Sequence, residues 1–382
     1  MMNQPQVLGV GMVGYGFMGK VHTYAYRTLS IFYDPVPVAA RLVGVCTSSP
    51  STCDRAMRQG GYEMCTDDYR GLLERDDIDI IHCCTPNDTH RDVVVAAIEA
   101  GKHVYCDKPL ARDVAEAEAI CAAAREGKRT YQMAFNYRFV PALMRAKELI
   151  GEGFLGEPLC FRAVYLHAGY VDPERPMSWR LDAARSGGGA LLDLGSHIID
   201  LVRHLLGDFR EVRAMTRIFT SRRPVSKGSA DTAPVEVDDS VWMQAELACG
   251  AVGTLEASRV STGASDEIRL EIHGRLGAIA FNLMDPNWLY VYDNRLPEEP
   301  LGGMRGFTRI ESVQRYPAPA SLAVPKNTVG WLRFHVASIH SFLENVAAGR
   351  AGCPSLEDGL AVQRVMDAAY RSASGSDWVT VA

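Results

Sequence analysis

The chain has 382 residues, 47% of them hydrophobic and 23% charged, with 40 Lys and Arg against 46 Asp and Glu for a formal net charge of -6. That composition is ordinary for a folded enzyme and excludes a disordered or membrane-spanning chain; the cations are scattered, which excludes an electrostatic footprint for nucleic acid or an anionic membrane and leaves a small molecule as the expected partner. The length suits two domains, and the start, MMNQPQVLGVGMVGYG, lacks the basic region and cleavage site of a secretory signal, so a cytoplasmic location is expected.

The first apolar strand, VLGVGMVGYG, runs into Gly14, Gly16 and Gly19, a G-x-G-x-x-G that opens a stretch of helical periodicity. In that setting the first glycine makes the turn, the second admits a pyrophosphate to the backbone, and the third lets helix and strand pack closely. Phe17 and Met18 lie within the same nucleotide loop. The piece IFYDPVPVAAR reads as an insertion before the second strand, RLVGVC. That strand ends in Thr47, Ser48 and Ser49, where an acidic residue would normally hold a ribose 2′-hydroxyl, and Arg55 is either a 2′-phosphate ligand or a solvated helix residue. NAD and NADP both stay open. After DIDIIHCC come Thr85, Pro86, Asn87 and His90, and after HVYC come Asp107, Lys108 and Pro109. Both stretches fall where ligands bind in such sheets, beyond the carboxyl ends of strands. A lysine directly past a buried strand and fixed by a proline is placed for chemistry, although it could simply pair with Asp107. Strand and helix alternate until TYQMAF meets Asn136, which predicts a doubly wound parallel sheet, a dinucleotide-binding Rossmann domain over residues 1–136.

The rhythm then changes. A helix through LMRAKELIGEG is followed by EPLCFRAVYLHAGY and by strand-like segments REVRAMTRIFT, VDDSVWMQAELACG, AVGTLEASRV, EIRLEIHG, GAIAFNL and WLYVYD, with a loop expected from Ser221 to Pro234. Strand after strand predicts an α+β domain over 137–382 with a large open, mostly antiparallel sheet, closed by two helices. An open sheet needs its outer face covered, so pairing with another subunit is expected.

Within this half lies GGGALLDLGSHIID, Gly187–Asp200. Asp193 and His197 are four residues apart, so on a helix they share a face. An imidazole with an ordinary pKa near ~6.5 suits a general base; the same pair could instead be a helix-stabilising contact. Acid plus histidine also suggests zinc, but no further ligand stands at suitable spacing. The ten cysteines include no C-x-x-C pair and no His/Cys cluster at zinc spacing, and read as reduced, buried thiols with neither a disulfide framework nor a metal site.

Taken together, G-x-G-x-x-G with His22 after it, TPN-x-x-H, the D/E-K-P tripeptide, NYRF at Asn136 to Phe139, and G-G-x-L-x-D-x-G-x-H-x-x-D resemble the Gfo/Idh/MocA family, the glucose-fructose oxidoreductase and inositol dehydrogenase group. The resemblance covers essentially the whole chain with the motifs in order. It implies a Rossmann domain followed by an α/β domain whose open sheet builds homodimers or homotetramers, a cis bond before Pro109, and Lys108, Asp193 and His197 as the catalytic set. The tripeptide here reads Asp107-Lys108-Pro109, one methylene shorter at its acid and with the lysine in place. His197 would take the hydroxyl proton, Asp193 orient the imidazole or hold a neighbouring hydroxyl, and Lys108 stabilise developing alkoxide.

The family handles sugars, cyclitols and related polyols. AYRTLSIFYDPVP and MSWRLD are similar to bacterial levoglucosan and glycoside 3-dehydrogenases. Aromatic and arginine side chains suit a pyranose, which makes Tyr137, Arg138, Tyr165, His167, Trp179 and Arg180 pocket candidates, each with an alternative as core or ion-pair residue. The expected activity is NAD(P)-dependent oxidation of a ring secondary hydroxyl; the alternatives are reduction of a keto-sugar and a non-catalytic, nucleotide-binding regulator of sugar metabolism.

Overall fold

The computed structural model describes residues 7–33, 36–313 and 327–381. They divide into two compact units: one reaches Phe139 and takes in Gly330–Ala361, and the other starts at Val140 and takes in Val362 onward.

The first unit is built on six parallel strands in the order β3-β2-β1-β4-β5-β6: β1 Val7–Val13, β2 Ala39–Cys46, β3 Met64–Thr66, β4 Ile80–Cys83, β5 His103–Cys106 and β6 Tyr131–Met133. Every residue of β1 after the first is buried, as expected when helices cover both faces of a parallel sheet. The connections are α1 Phe17–Phe32, α2 Pro50–Arg55, α3 Arg70–Leu73, α4 His90–Glu99 and α5 Val114–Glu126. Side chains written into the sequence start two of them. Ser49 accepts from the Thr52 amide at 3.3 Å with proline next in the chain, and Asp113 accepts from the Glu116 amide at 2.9 Å. The expected insertion shrinks accordingly, since α1 runs to Phe32 and β2 opens at Ala39; its Asp34 and Pro35 lie outside the described residues.

The first unit also corrects the expected cut. Residues 330–361, expected with the second domain, pack here. Helix Trp331–Ala347 carries an apolar stripe of Val336, Ile339, Phe342 and Leu343 that closes a core with Ala25, Tyr26 and Leu29 of α1 and Leu8 and Val10 of β1. Fully burying such side chains contributes roughly 1.5–3 kcal/mol each. Periodicity reveals a stripe of this kind but not the surface it covers.

The second unit holds a nine-stranded sheet in the order β16-β15-β14-β13-β7-β12-β11-β8-β17. They are β7 Pro158–Leu166, β8 Phe209–Arg217, β11 Ser240–Leu247, β12 Val252–Ser258, β13 Glu267–Gly274, β14 Gly277–Asn282, β15 Trp288–Asp293, β16 Phe307–Glu311 and β17 Val379–Thr380. All described pairings are antiparallel except β7 with β12. In β13 buried and exposed residues alternate, the mark of a sheet covered on one face. Helices α6 Pro141–Gly151, α7 Ala183–Ser186 and α8 Ser196–Leu206 belong to this unit, and α6 and α8 pack on the sheet and on each other. The loop expected from Ser221 to Pro234 is instead a hairpin of β9 Arg222–Pro224 and β10 Thr232–Pro234. It is anchored by fully buried Arg223, which donates to the carbonyls of Asp172 and Tyr170 at 2.6 and 2.7 Å. The exposure that the composition suggested holds for most of the segment; Arg223 and Pro224 are its buried residues.

Candidate active site

In the first unit the loop after β1 has the shape its glycines allow. Gly14 has φ +95°, and a Cβ there would stand 2.6 Å from the Cys84 carbonyl oxygen. A Cβ on Gly19 would overlap the carbonyl of Gly14, whereas one on Gly16 would meet nothing within 4 Å. The middle glycine therefore leaves the backbone open to a phosphate while the outer two hold turn and helix together. At the end of β6, Asn136 is 2% exposed and its amide nitrogen has no hydrogen-bond partner in the protein. A buried, unmet donor and an open glycine loop in one unit fit a dinucleotide, and Gly14, Gly16, Gly19 and Asn136 are the residues that would hold it.

The remaining nucleotide candidates divide by environment. Phe17 is exposed and stacks on Trp331 with centroids 5.7 Å apart, and the Trp331 indole donates to the Tyr137 hydroxyl at 3.2 Å. Met18 packs against the Met12, Tyr15 and Val45 cluster. Buried Thr47 donates to the Ser49 carbonyl at 3.1 Å, while Ser48 is exposed. Arg55 reaches back to the Thr52 hydroxyl at 3.3 Å. Thr85 and Pro86 are half-buried and Asn87 is buried in the turn after β4. His90, expected among the cofactor contacts, is fully buried, and its two ring nitrogens lie 3.0 Å from the Pro109 carbonyl and 3.1 Å from the Thr85 carbonyl. It therefore braces two loops and offers no free nitrogen to a nucleotide. Burial alone would pull its pKa down; Cys83, Asp107 and the two carbonyls outweigh that and raise it. Lys108 follows β5, half-buried, with the expected cis bond to Pro109, and its amide donates to the Asp107 carboxylate at 2.8 Å. Arg138, a sugar-pocket candidate, is nearly buried and ion-paired with Asp358 at 3.4 Å; both it and Tyr137 belong to the first unit.

In the second unit Asp193 does not share one regular helix with His197. Leu191–Gly195 forms a single π-helical turn, and α8 begins at Ser196. The turn is anchored by Asp238, whose carboxylate accepts from the Gly189 and Leu191 amides at 2.9 Å each and from the Tyr370 hydroxyl at 2.6 Å. Gly189 is required here because a Cβ would overlap the Asp238 backbone. Asp193 lies between two guanidiniums, 3.7 Å from Arg180 and 3.5 Å from Arg259. Arg180 covers the Trp179 ring, and Arg259 is almost wholly buried over Tyr170. His197 meets the edge of Tyr165, with centroids 5.7 Å apart. The Tyr165 hydroxyl donates to Asp266 at 2.6 Å, and Asp266 lies 3.4 Å from His167.

Sequence reasoning thus brought Tyr165, His167, Trp179, Arg180, Asp193 and His197 to one unit and missed Arg259, Asp266 and Asp238. Arg259 directly follows the buried end of β12, where a cation needs a partner, and that was the available signal. The cysteine reading needs a correction too: Cys53 in α2 and Cys65 in β3, with Cα atoms 5.9 Å apart, are joined as a disulfide, and Cys249 and Cys353 are exposed. The two bonded positions lie in different elements, so no short motif announces them.

The chain belongs to the Gfo/Idh/MocA family of oxidoreductases: residues 8–135 match the oxidoreductase family, NAD-binding Rossmann fold, and residues 143–280 match the GFO/IDH/MocA C-terminal domain. It is accordingly an enzyme with an NAD-binding domain. In particular, it is 36% identical to the levoglucosan dehydrogenase of Pseudarthrobacter phenanthrenivorans over 98% of both chains. It is 27% identical to the inositol 2-dehydrogenase of Rhizobium meliloti over 97% of this chain and 98% of that one. A solved levoglucosan dehydrogenase in complex with NADH and levoglucosan superposes with a TM-score of 0.93, at 36% identity, covering 98% of this chain and 100% of the other. Among the described residues no helix is long and apolar enough to cross a membrane.

Proposed function

We propose that this enzyme oxidises a ring secondary hydroxyl of a pyranose, in the first instance an anhydropyranose, or of a cyclitol to the ketone. The unit that reaches Phe139 and takes in residues 330–361 holds the nucleotide; the unit that starts at Val140 and takes in residues 362 onward binds the sugar and, through the open sheet, pairs subunits into a dimer or tetramer. The observation that carries this reading is that the glycine loop and Lys108 follow β1 and β5 of one sheet, in a chain similar over its whole length to a levoglucosan dehydrogenase.

The chemistry divides among the chain's own residues. His197 accepts the hydroxyl proton, which a near-neutral imidazole does at physiological pH. Lys108 donates to the reacting oxygen and stabilises the charge that grows on it. Asp193, held by Arg180 and Arg259, is fixed for a neighbouring hydroxyl. The bound nicotinamide supplies the hydride acceptor. Trp179 and Tyr165 offer apolar faces to the ring.

The test is NADH or NADPH appearance with a panel of anhydrosugars, sugars and inositols, for the wild type, Lys108→Ala and His197→Ala. Each variant is expected to lose about 10²–10⁴ in kcat. Undiminished turnover in both overturns the assignment. Absence of turnover on every polyol, with nucleotide binding kept, favours the regulator instead.

A further inference from the structure

His22 in α1, His82 in β4 and Cys84 just past it converge beneath the glycine loop, with one donor atom from each within 4.8 Å of the others and all three buried. Their positions in the sequence gave no sign of this. His22 Nδ1 lies 3.1 Å from Cys84 Sγ. His22 Nε2 and His82 Nδ1 have no hydrogen-bond partner in the protein, while His82 Nε2 is fixed by the Tyr26 hydroxyl at 2.6 Å. Two further groups adjoin. His335, buried with neither ring nitrogen partnered, packs on His22 with centroids 5.7 Å apart, and the Met12 sulfur lies 3.6 Å from Cys84 Sγ.

Buried polar atoms are normally paired, and here four imidazole nitrogens around one thiol are not. We propose that His22, His82 and Cys84 bind one borderline-to-soft d-block cation, Zn²⁺ or Cu⁺, with His335 and Met12 available to complete its coordination. The donor set is two or three imidazoles, a thiol and a thioether, the ligands these ions select, and it contains no carboxylate to favour Mg²⁺ or Ca²⁺. Zinc bonds of about 2.0–2.3 Å require donors roughly 3.3–3.8 Å apart, so the cluster closes around an ion with shifts of about an ångström.

Burial pushes both histidines down, His82 furthest, which keeps the rings neutral as ligands must be. Burial, with Asp107 and Cys83, pushes the Cys84 thiol up. Binding therefore replaces the thiol proton: the S–H bond breaks, the sulfur–metal bond forms, and one proton passes to solvent, with no change of oxidation state. The Cys84 carbonyl abuts Gly14, so the ion would brace the loop from below.

The full-length protein, stripped with a chelator, is loaded with Zn²⁺ alone or with Cu⁺ alone under anaerobic reducing conditions, desalted, and measured by elemental mass spectrometry. One ion per chain is expected, and whichever arm retains it identifies the ion. Cys84→Ser and His22→Gln should lose retention at least tenfold, while Cys249→Ser keeps it. Co²⁺ should give a thiolate charge-transfer band that Cys84→Ser abolishes. Melting of the metal-free variants shows whether they fold, and excess ion should stabilise the wild type and not the variants. No retained ion in either arm, or retention unchanged in Cys84→Ser, overturns the proposal. None of these readings depends on the sugar substrate.

Discussion

Replacing Asp238 with alanine tests the anchoring of the turn that carries Asp193. The carboxylate accepts three hydrogen bonds, from the Gly189 and Leu191 amides and the Tyr370 hydroxyl. Tyr370 stays protonated as a donor because burial and the Asp238 charge push its pKa well up. Hydrogen bonds to a charged group contribute about 1.5–3 kcal/mol each, and a buried donor left unmet costs about 1–3 kcal/mol. Three in one network do not add, so the expected loss is roughly 3–5 kcal/mol, that of breaking a buried charged contact. At ~2–4 °C per kcal/mol for a unit of this size, the melting temperature should fall by about 6–20 °C. Asp238→Asn keeps the shape and one acceptor oxygen, and should fall about half as far. The assay is thermal melting of the three proteins by circular dichroism at fixed pH and salt, followed by turnover well below the lowest transition. There kcat should fall more than KM rises, because the turn moves while other sugar contacts remain. A Tm for Asp238→Ala within ~2 °C of the wild type would show that the carboxylate anchors nothing.

Two further outcomes follow from the nucleotide unit. Gly19→Ala places a methyl group on the Gly14 carbonyl, so NADH affinity measured by fluorescence titration should weaken at least ~10-fold, or ~1.4 kcal/mol; an unchanged affinity refutes the packing role of this glycine. His90 has its folded pKa raised above the ordinary 6.5, so its stabilisation is complete below that value and is lost as pH rises through the folded pKa. The Tm gap between wild type and His90→Asn should therefore be widest below about pH 6.5 and narrow at alkaline pH; a gap that widens with pH contradicts the assignment.

What could be read from the sequence was what is local in it. The G-x-G-x-x-G loop, the cis Lys108-Pro109 step and the strand-by-strand rhythm of both units are encoded within a few residues each, and all recur in the structure. Asp238, Arg259 and Asp266 escaped because each acts on a residue far along the chain that only sheet register brings near. The His90 contacts escaped for a related reason: its position after TPN suggests a ligand contact, whereas its ring nitrogens lie against the carbonyls of Pro109 and Thr85. The Cys53–Cys65 bond and the cluster at His22, His82 and Cys84 join different elements, so no spacing rule reaches them.

The helix Trp331–Ala347 sets a timetable for folding. Until it is synthesised, the apolar surface of α1 and β1 around Tyr26, Leu29 and Val10 has no cover. Ribosomes add about 5–20 residues per second, so the chain between Phe139 and Leu343 takes roughly 10–40 s to appear. The half that is made first thus waits for a segment made near the end, and a growing chain carries an incomplete nucleotide unit through most of its synthesis.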